Sequence, residues 1–462
     1  MITINNKKGL DLGRDPIVTL LIKMSLPSIV AMLVMSLYNV IDTFWIAKIS
    51  SEAIAALTIC FPIQMIFGGL GVATGMGAGS YVSRMFGMGD DSKAHRAAGQ
   101  IVFLSLFFGV ILILSGVFYY EPILRFFGAT ETILPLSASY LTVVVFGTPF
   151  LMFMMMTDYL FRAEGNPNVP MYVISFSAAL NTVLDPFLIF GWGPFPELGI
   201  KGAALATVIS QFVVIFLSIY FLLFSHSKYK LKPFHIIPHV PTIYAIYRVG
   251  VPTFMIHLAM SLVLTIYNQV LGNYSSLAIA TLGLGFRING ILMMVLFGIG
   301  HGVMPMVGFN YGARNFDRLK EIVRVASRFS AILGGISCLF IEVFTYPLLS
   351  IFTKDPELLA IAIPAFRIYV LTQFLVGPNI VWINLFNGIG KGMTSMTLLL
   401  TRQLVFLVPL IYILPSFFGL NGVWMAQPIS NILVFFIILS WTQREFRILD
   451  RQKAVEKDRS HS

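Results

Sequence analysis

Apolar runs of about 20 residues or more recur along nearly the whole chain, and no stretch between them is long enough for a water-soluble domain. Inside a bilayer every backbone amide must find its partner within the protein, so only helices and closed barrels cross it. Barrel strands would alternate apolar and polar residues over about ten positions, and no such alternation is seen here. The runs therefore read as helices. Composition agrees, with 57% of the 462 residues hydrophobic, 11% charged and a mean hydropathy of +0.84, too few polar groups to clothe a soluble globule. The expected fold is an all-α polytopic membrane protein of twelve transmembrane helices, near 17–47, 51–80, 97–119, 133–157, 168–191, 202–224, 244–272, 277–308, 321–346, 358–386, 393–415 and 420–442.

The net charge of +10 is explained by where the charges fall. An even number of spans puts both termini on one side. That side collects Lys7, Lys8, Arg14, Lys23, Arg84, Lys93, Arg96, Arg162, the bases of 228–248 and 314–328, Lys391, Arg402 and the tail. The other side holds only Lys48, Arg125, Lys201 and Lys354. This asymmetry assigns the basic side, and both termini, to the cytoplasm of a multi-pass protein of the cell membrane. The charge is thus a topology signal, and no nucleic-acid partner is expected. The first sixteen residues lack the apolar core and cleavage site of a secretory signal, so they are expected to be retained. Cys60 and Cys338, both within apolar runs, read as small buried thiols.

Shifting the sequence by 225 positions aligns its two halves without a gap for about seventy residues. Pro27 falls on Pro252, Met35-Ser36-Leu37 on Met260-Ser261-Leu262, Gly75 and Gly77 on Gly300 and Gly302, and Gly87 on Gly312. The same shift puts Phe161 and Gly165 on Phe386 and Gly390, and a shift of 220 pairs GIKGAALATVIS (199–210) with GLNGVWMAQPIS (419–430). The domain expectation is a six-helix lobe over 1–224, a cytoplasmic linker over 225–243, a second six-helix lobe over 244–446 and a polar tail over 447–462. Six spans per half relate the lobes by a pseudo-twofold axis along the membrane normal, an arrangement of transporters, whose sites lie near mid-bilayer. The basic, Pro-punctuated linker suits a tether between moving bodies. Its His226, His235 and His239 read as solvated, since no Cys or acid completes a metal set.

What one half keeps and the other lacks is not needed for the shared fold. Asp42 corresponds to Tyr267, and Asp185 to Leu410. Each acid lies six residues before the end of an outward-running span, which puts both carboxylates roughly 9 Å below one edge. A charge within a span is costly and usually faces an interior or a watery cavity. Thr207 sits at a similar level, and Asn181 one turn below Asp185 on the same helix face. Pro186 frees the carbonyl of Thr182 as a further oxygen. Asp42, Asn181, Asp185 and Thr207 together make an oxygen cage for Na+, or a site for H+, because two close carboxylates in a low dielectric cannot both stay ionised.

Other polar groups are candidates for a substrate cavity: Tyr38, Asn39, Gln64, Met155, Met156, His257, Tyr267 and Arg287, with the methionines offering soft, adaptable contacts. Arg287 and Arg367 are read as the basic residues well inside spans. Glu164 and Asp158 either pair with Arg162 or gate, and GDDSKAHR (89–96) and GARNFDRLK (312–320) read as helix starts. GGLGVATGMGAG (68–79) lacks the Gly-Lys-Ser ending of a phosphate loop, so it reads as close helix packing or a hinge. With no phosphate-binding motif the energy source is expected to be an ion gradient. No cofactor and no enzymatic constellation is expected.

YNVIDTFWIAKIS around Asp42, the loop FRAEGNPNVP, LNTVLDPFLIFG followed by GIKGAALATVIS, and the twofold repeat together resemble the multidrug and toxic compound extrusion transporters, from about residue 15 to 445. The resemblance implies a cation site in the first lobe at Asp42, Asn181, Asp185 and Thr207. Branches that use acids of the second lobe are not matched, since the seventh span has only His257. It further implies a monomeric antiporter that exports small organic, cationic and amphipathic compounds in exchange for Na+ or H+. The alternative is a lipid-linked saccharide flippase of related fold, which would want a markedly cationic cavity.

Overall fold

The computed structural model describes residues 10–225 and 227–461, with side chains in the last helix only to 455 and at 458. Lys7, Lys8 and His226 lie outside the described residues. All regular elements among the described residues are helical. The long ones are α1 (Ile17–Ala47), α2 (Ser51–Met88), α3 (Asp91–Phe118), α4 (Leu134–Ala163), α5 (Asn168–Phe190), α6 (Ile200–Leu223), α7 (Val240–Gly272), α8 (Ser276–Gly312) and α9 (Phe316–Ser350). They are followed by α10 (Pro356–Val370 and Gln373–Gly388, bent by 49°), α11 (Gly392–Phe418) and α12 (Leu420–His461). Eleven are long and apolar enough to cross a membrane singly, and the bent pair makes the twelfth span.

Local signals set where these helices begin and end. Ser50 and its repeat partner Ser275 cap α2 and α8, each hydroxyl accepting from the backbone N–H three residues on, Ala53 and Ala278, at 3.1 Å. Asp90 caps α3 by accepting from Lys93 N at 3.1 Å, whereas Asn315, the residue that precedes α9, makes no side-chain cap. Gly89 ends α2 at φ +75°, and at the matching place after α8 Arg314 takes φ +56°. A side chain in that left-handed region costs roughly 1 kcal/mol. The repeat therefore keeps the turn where it has lost the glycine.

Contacts divide the described residues into two units. The first runs from Val30 to Val251 and takes in Leu10 and Asp11, and the second takes in Leu12–Ile29 and everything from Pro252 onward. α1 and α7 are each cut by this division, α1 just beyond Pro27 and α7 at Pro252. Within the first unit α2 packs against α4 and the opening turns of α7. A Cβ on Gly75 would lie 2.6 Å from the Tyr159 ring, and one on Gly77 2.2 Å from the Ile246 carbonyl. Thr74 adds a 2.9 Å hydrogen bond to Tyr247. Within the second unit α8 does the same against α10 and the opening turns of α1. There a Cβ on Gly300 would meet Asn384 at 2.6 Å, and one on Gly302 would meet Ser25 at 2.8 Å. The glycine-rich stretch of the first repeat is therefore a packing seam, and small residues let the backbones approach.

The segment after α6 is strapped to the first unit instead of hanging as a free tether. Gln100 donates to the carbonyls of His235 (2.7 Å) and Ile237 (2.8 Å) and accepts from His239 N (2.9 Å). Gly99 leaves room for the His235 backbone, 2.4 Å from where a Cβ would stand. Tyr229 donates to the Leu160 carbonyl at 2.7 Å, and the buried Glu164 accepts from Ser227 Oγ and Lys228 N, each at 2.9 Å. Among the described residues no three His, Cys, Asp or Glu side chains gather as a metal group, and His235 and His239 serve as backbone partners of the strap.

Glu164 gives this strap a pH dependence. Burial pushes its carboxyl from the ordinary 4.5 up to about 7, against the pull of the Lys228 and Ser227 hydrogen bonds and the Lys228 charge. The docked strap therefore holds the proton more tightly than the free chain does. Docking is firmest at pH values below the ordinary range and weakens as pH rises through about 7. Amide exchange over 227–239, corrected for its intrinsic pH dependence, should be slower at pH 6 than at pH 8. Glu164→Gln should flatten that difference, and an unchanged difference in the variant would assign the effect elsewhere.

The tail expected as a separate polar segment continues α12. Glu445 accepts from Lys391 Nζ at 2.6 Å, and Lys320 pairs with Asp450 and Lys453 with Asp317. Partly exposed pairs of this kind contribute about 0–1 kcal/mol each, so they orient the end of the helix more than they stabilise the unit.

Candidate functional site

α1 and α5 bring their acids to matching depth in the first unit. Asp42 stands five residues before the end of α1 at Ala47, and Asp185 five before the end of α5 at Phe190. Asp42 is 7% exposed, Asn181 1% and Asp185 0%. Asn181 donates to Thr207 Oγ1 at 3.2 Å, and Tyr38, one turn before Asp42, lies 3.4 Å from the same hydroxyl. The two carboxylates are near enough to act on one another, and both act on Tyr38. The four residues expected to form a cation site are thus gathered into one cluster.

What this cluster offers is acceptors. Asp42 Oδ1, both carboxylate oxygens of Asp185 and Asn181 Oδ1 are all buried with no donor in reach. Each such buried atom costs about 1–3 kcal/mol when left unmatched, and more when it carries charge. These unmatched acceptors could take a group that brings positive charge or a further donor. The residues present fit a hard cation by chemistry, since every ligand atom is oxygen.

Tyr140 belongs beside the cluster and was not singled out in the sequence. It feels the Asp42 charge and accepts a hydrogen bond from Gln64 Nε2 at 3.2 Å. A tyrosine in an apolar span is unremarkable by itself. The signal that marks it is the repeat, in which a shift of 225 places Ala365 opposite.

The residues expected to line a cavity scatter in role. Tyr38 and Gln64 adjoin the acidic cluster, while Asn39 is exposed on α1. Met156 has no exposed surface and its Cα stands 3.1 Å from the Cβ position of Gly75, and Met155 closes on Gly71 through Sδ at 3.1 Å. Both therefore fill the α2–α4 seam, where flexible thioethers match the missing glycine side chains. His257 and Arg287 are exposed in the second unit, and Tyr267 is buried there. Asp158 pairs with Arg162 at 2.7 Å and Arg367 with Glu342 at 3.8 Å.

Arg402 requires a correction. Its charge was counted with the cytoplasmic edge, yet it lies ten residues into α11, on a π-helical turn (Thr401–Leu407) just ahead of Pro409. The expected span 393–415 already put Arg402 nine residues in, and its charge alone grouped it with the edge. Arg287 and Arg367 are therefore not the only bases well inside the spans.

The family model described as MatE matches residues 27–187 and 252–413. The chain is 28% identical over 421 residues to the FAD transporter of Shewanella oneidensis, an alignment covering 91% of this chain and 93% of that one. It is 26% identical over 428 residues to the multidrug export protein MepA of Staphylococcus haemolyticus, covering 91% and 93%. Among solved structures it is similar to an outward-facing multidrug resistance MATE family transporter of the MOP superfamily, with TM-score 0.90, 26% identity and coverage of 96% and 99%. It is likewise similar to a MOP superfamily transporter of Pyrococcus furiosus described as having reverse polarity of its binding pocket, with TM-score 0.89, 26% identity and the same coverage.

Proposed function

Because the chain belongs to the MatE family, and so is a membrane transporter and not an enzyme, we propose that it is an antiporter that exports organic compounds in exchange for Na+ or H+ bound at Asp42, Asn181, Asp185 and Thr207. The observation that carries this reading is the set of four buried oxygens on Asp42, Asp185 and Asn181 with no donor. Relatives named multidrug export protein support drugs as cargo, with cationic amphipaths the compounds first expected at a carboxylate pair. The chain sits in the cell membrane as a monomer with both termini in the cytoplasm.

The ion acts through charge. Entry of a cation neutralises the Asp42 and Asp185 pair and removes their mutual repulsion. α1 carries Asp42 and also contains Pro27, whose missing N–H leaves a soft point in the helix. Binding at one end of α1 therefore has a place at which to bend it, and an ion that prefers the bent form shifts the transporter toward release. A cationic drug that favours the ionised acids competes with the ion.

Proteoliposomes loaded with a fluorescent cationic dye test this. A sodium gradient at equal pH, or a pH gradient in sodium-free buffer, should drive dye transport well above the rate without a gradient. Which of the two succeeds names the ion. Transport that responds to neither gradient would overturn the proposal.

A further inference from the structure

In the second unit a group of buried atoms able to donate hydrogen bonds stands without partners near the position that matches Asp42. Where Asp42 stands in the first repeat, Tyr267 stands in the second, 4% exposed and with its hydroxyl unpartnered. Trp424 (3% exposed) and Thr281 (4%) likewise bury Nε1 and Oγ1 without partners. Arg402 is half-buried, and its Nε has neither exposed surface nor an acceptor. Arg402 Nε and Trp424 Nε1 can only donate a hydrogen bond, and the two hydroxyls can donate or accept.

They belong to one neighbourhood. Tyr267 and Tyr369 both feel the Arg402 charge. Tyr369, Thr281 and Trp424 line one cleft together with Phe286 and Phe366. Tyr267 and Trp424 share one apolar cluster. Ser430 donates to the Arg402 carbonyl at 3.1 Å and fixes the backbone of the π-helical turn, a distortion often found at functional sites. Glu342 of α9 is paired with Arg367, and no acid pairs with Arg402 among the described residues. Gln403 Oε1 and Asn431 Oδ1 are also buried without donors, but an amide carries donors too and presents either face. A guanidinium left uncompensated in such a setting is costly. An anion is what these groups lack.

We propose that the second unit holds an oxyanion site centred on Arg402, with Tyr267, Tyr369, Trp424 and Thr281 around it, that takes the carboxylate or phosphate of an aromatic organic cargo. The proposal rests on the reading of this chain as an exporter and widens its cargo beyond cations. The guanidinium fork matches two oxygens at once, and Trp424, Phe286 and Phe366 offer faces to a planar ring. Cargo of this class carries an acid group on a flat, largely apolar body.

Flavin mononucleotide and riboflavin form a matched pair of probes, since they share a ring system and differ by one phosphate. Fluorescence titration of the purified full-length chain in nanodiscs, with no ion gradient, should show the mononucleotide binding at least 10-fold more tightly, and inorganic phosphate should displace it. Arg402→Gln should remove the preference, leaving riboflavin affinity unchanged, and Arg402→Lys should keep part of it. Equal affinities, including no binding of either probe, would overturn the site, as would a preference that survives in Arg402→Gln. Should that variant fail to fold, the wild-type ratio and the phosphate competition still decide. Because binding is read at equilibrium, failure of ion coupling leaves this result standing, and failure of the site leaves gradient-driven dye export standing.

Discussion

Export by the Asp42→Asn, Asp185→Asn double variant should fall to the background of cells lacking the protein. That is a loss of roughly 100-fold, the size carried by a coupling free energy of about 3 kcal/mol. Asn keeps the shape and loses the charge, so the local packing survives while the ion loses its counter-charge. Stability should move the other way. Asp42 and Asp185 bury three carboxylate oxygens without donors, and exchanging buried unpaired charges for neutral amides removes a desolvation cost. Thermal unfolding of the purified double variant should therefore occur at or above the wild-type temperature. A protein that loses export and unfolds early would make the acids structural. One that keeps full export would end the coupling assignment.

Gly77→Val and Gly302→Val should each abolish accumulation of folded protein. The added Cβ would stand 2.2 Å from the Ile246 carbonyl in one case and 2.8 Å from Ser25 Oγ in the other. Over-packing of a close seam costs typically about 1–3 kcal/mol and more where the obstacle is backbone. Ile246 presents backbone, so Gly77 should be the less tolerant of the two. Gly290→Ala supplies the contrast. It lies in α8 with nothing within 4 Å of its Cβ position, so the change should be neutral or gain about 0.5–1 kcal/mol through helix propensity. Monodisperse yield in size-exclusion chromatography of the three variants separates these outcomes. Normal yield of Gly77→Val would show that α2 does not need its close approach to α7.

Helices, repeat and acidic cluster were legible for physical reasons. Twenty apolar residues in a bilayer leave a chain little choice but helix, and Asp42 and Asp185 stood out because a carboxylate in such a run is expensive. Depth along a helix follows from counting, which is why the two acids could be placed at one level. Direction around a helix does not follow from counting, so Met155 and Met156 were offered to a cavity although they meet the glycine seam. Arg402 is a different case, since the expected span 393–415 already put it nine residues in and its charge alone grouped it with the edge. The strap after α6 was hidden for another reason. Its hold on the first unit depends on Gln100, 135 residues before His235, and a pairing at that range leaves no local pattern. Tyr140 shows a signal that was present but unused, since it is a difference between repeats at a residue type that draws no notice.

The division of α1 near Pro27 and of α7 at Pro252 bears on how such a chain arose and on what fragments of it can do. Each repeat lends the opening turns of its leading helix to the unit formed by the other. This is the geometry of a domain swap. A one-repeat ancestor would have satisfied it only as a pair, each copy completing its neighbour, and gene fusion would have made that loan permanent. A chain severed within the strap should accordingly give two pieces that are insoluble when expressed alone and that recover a working exporter when produced together.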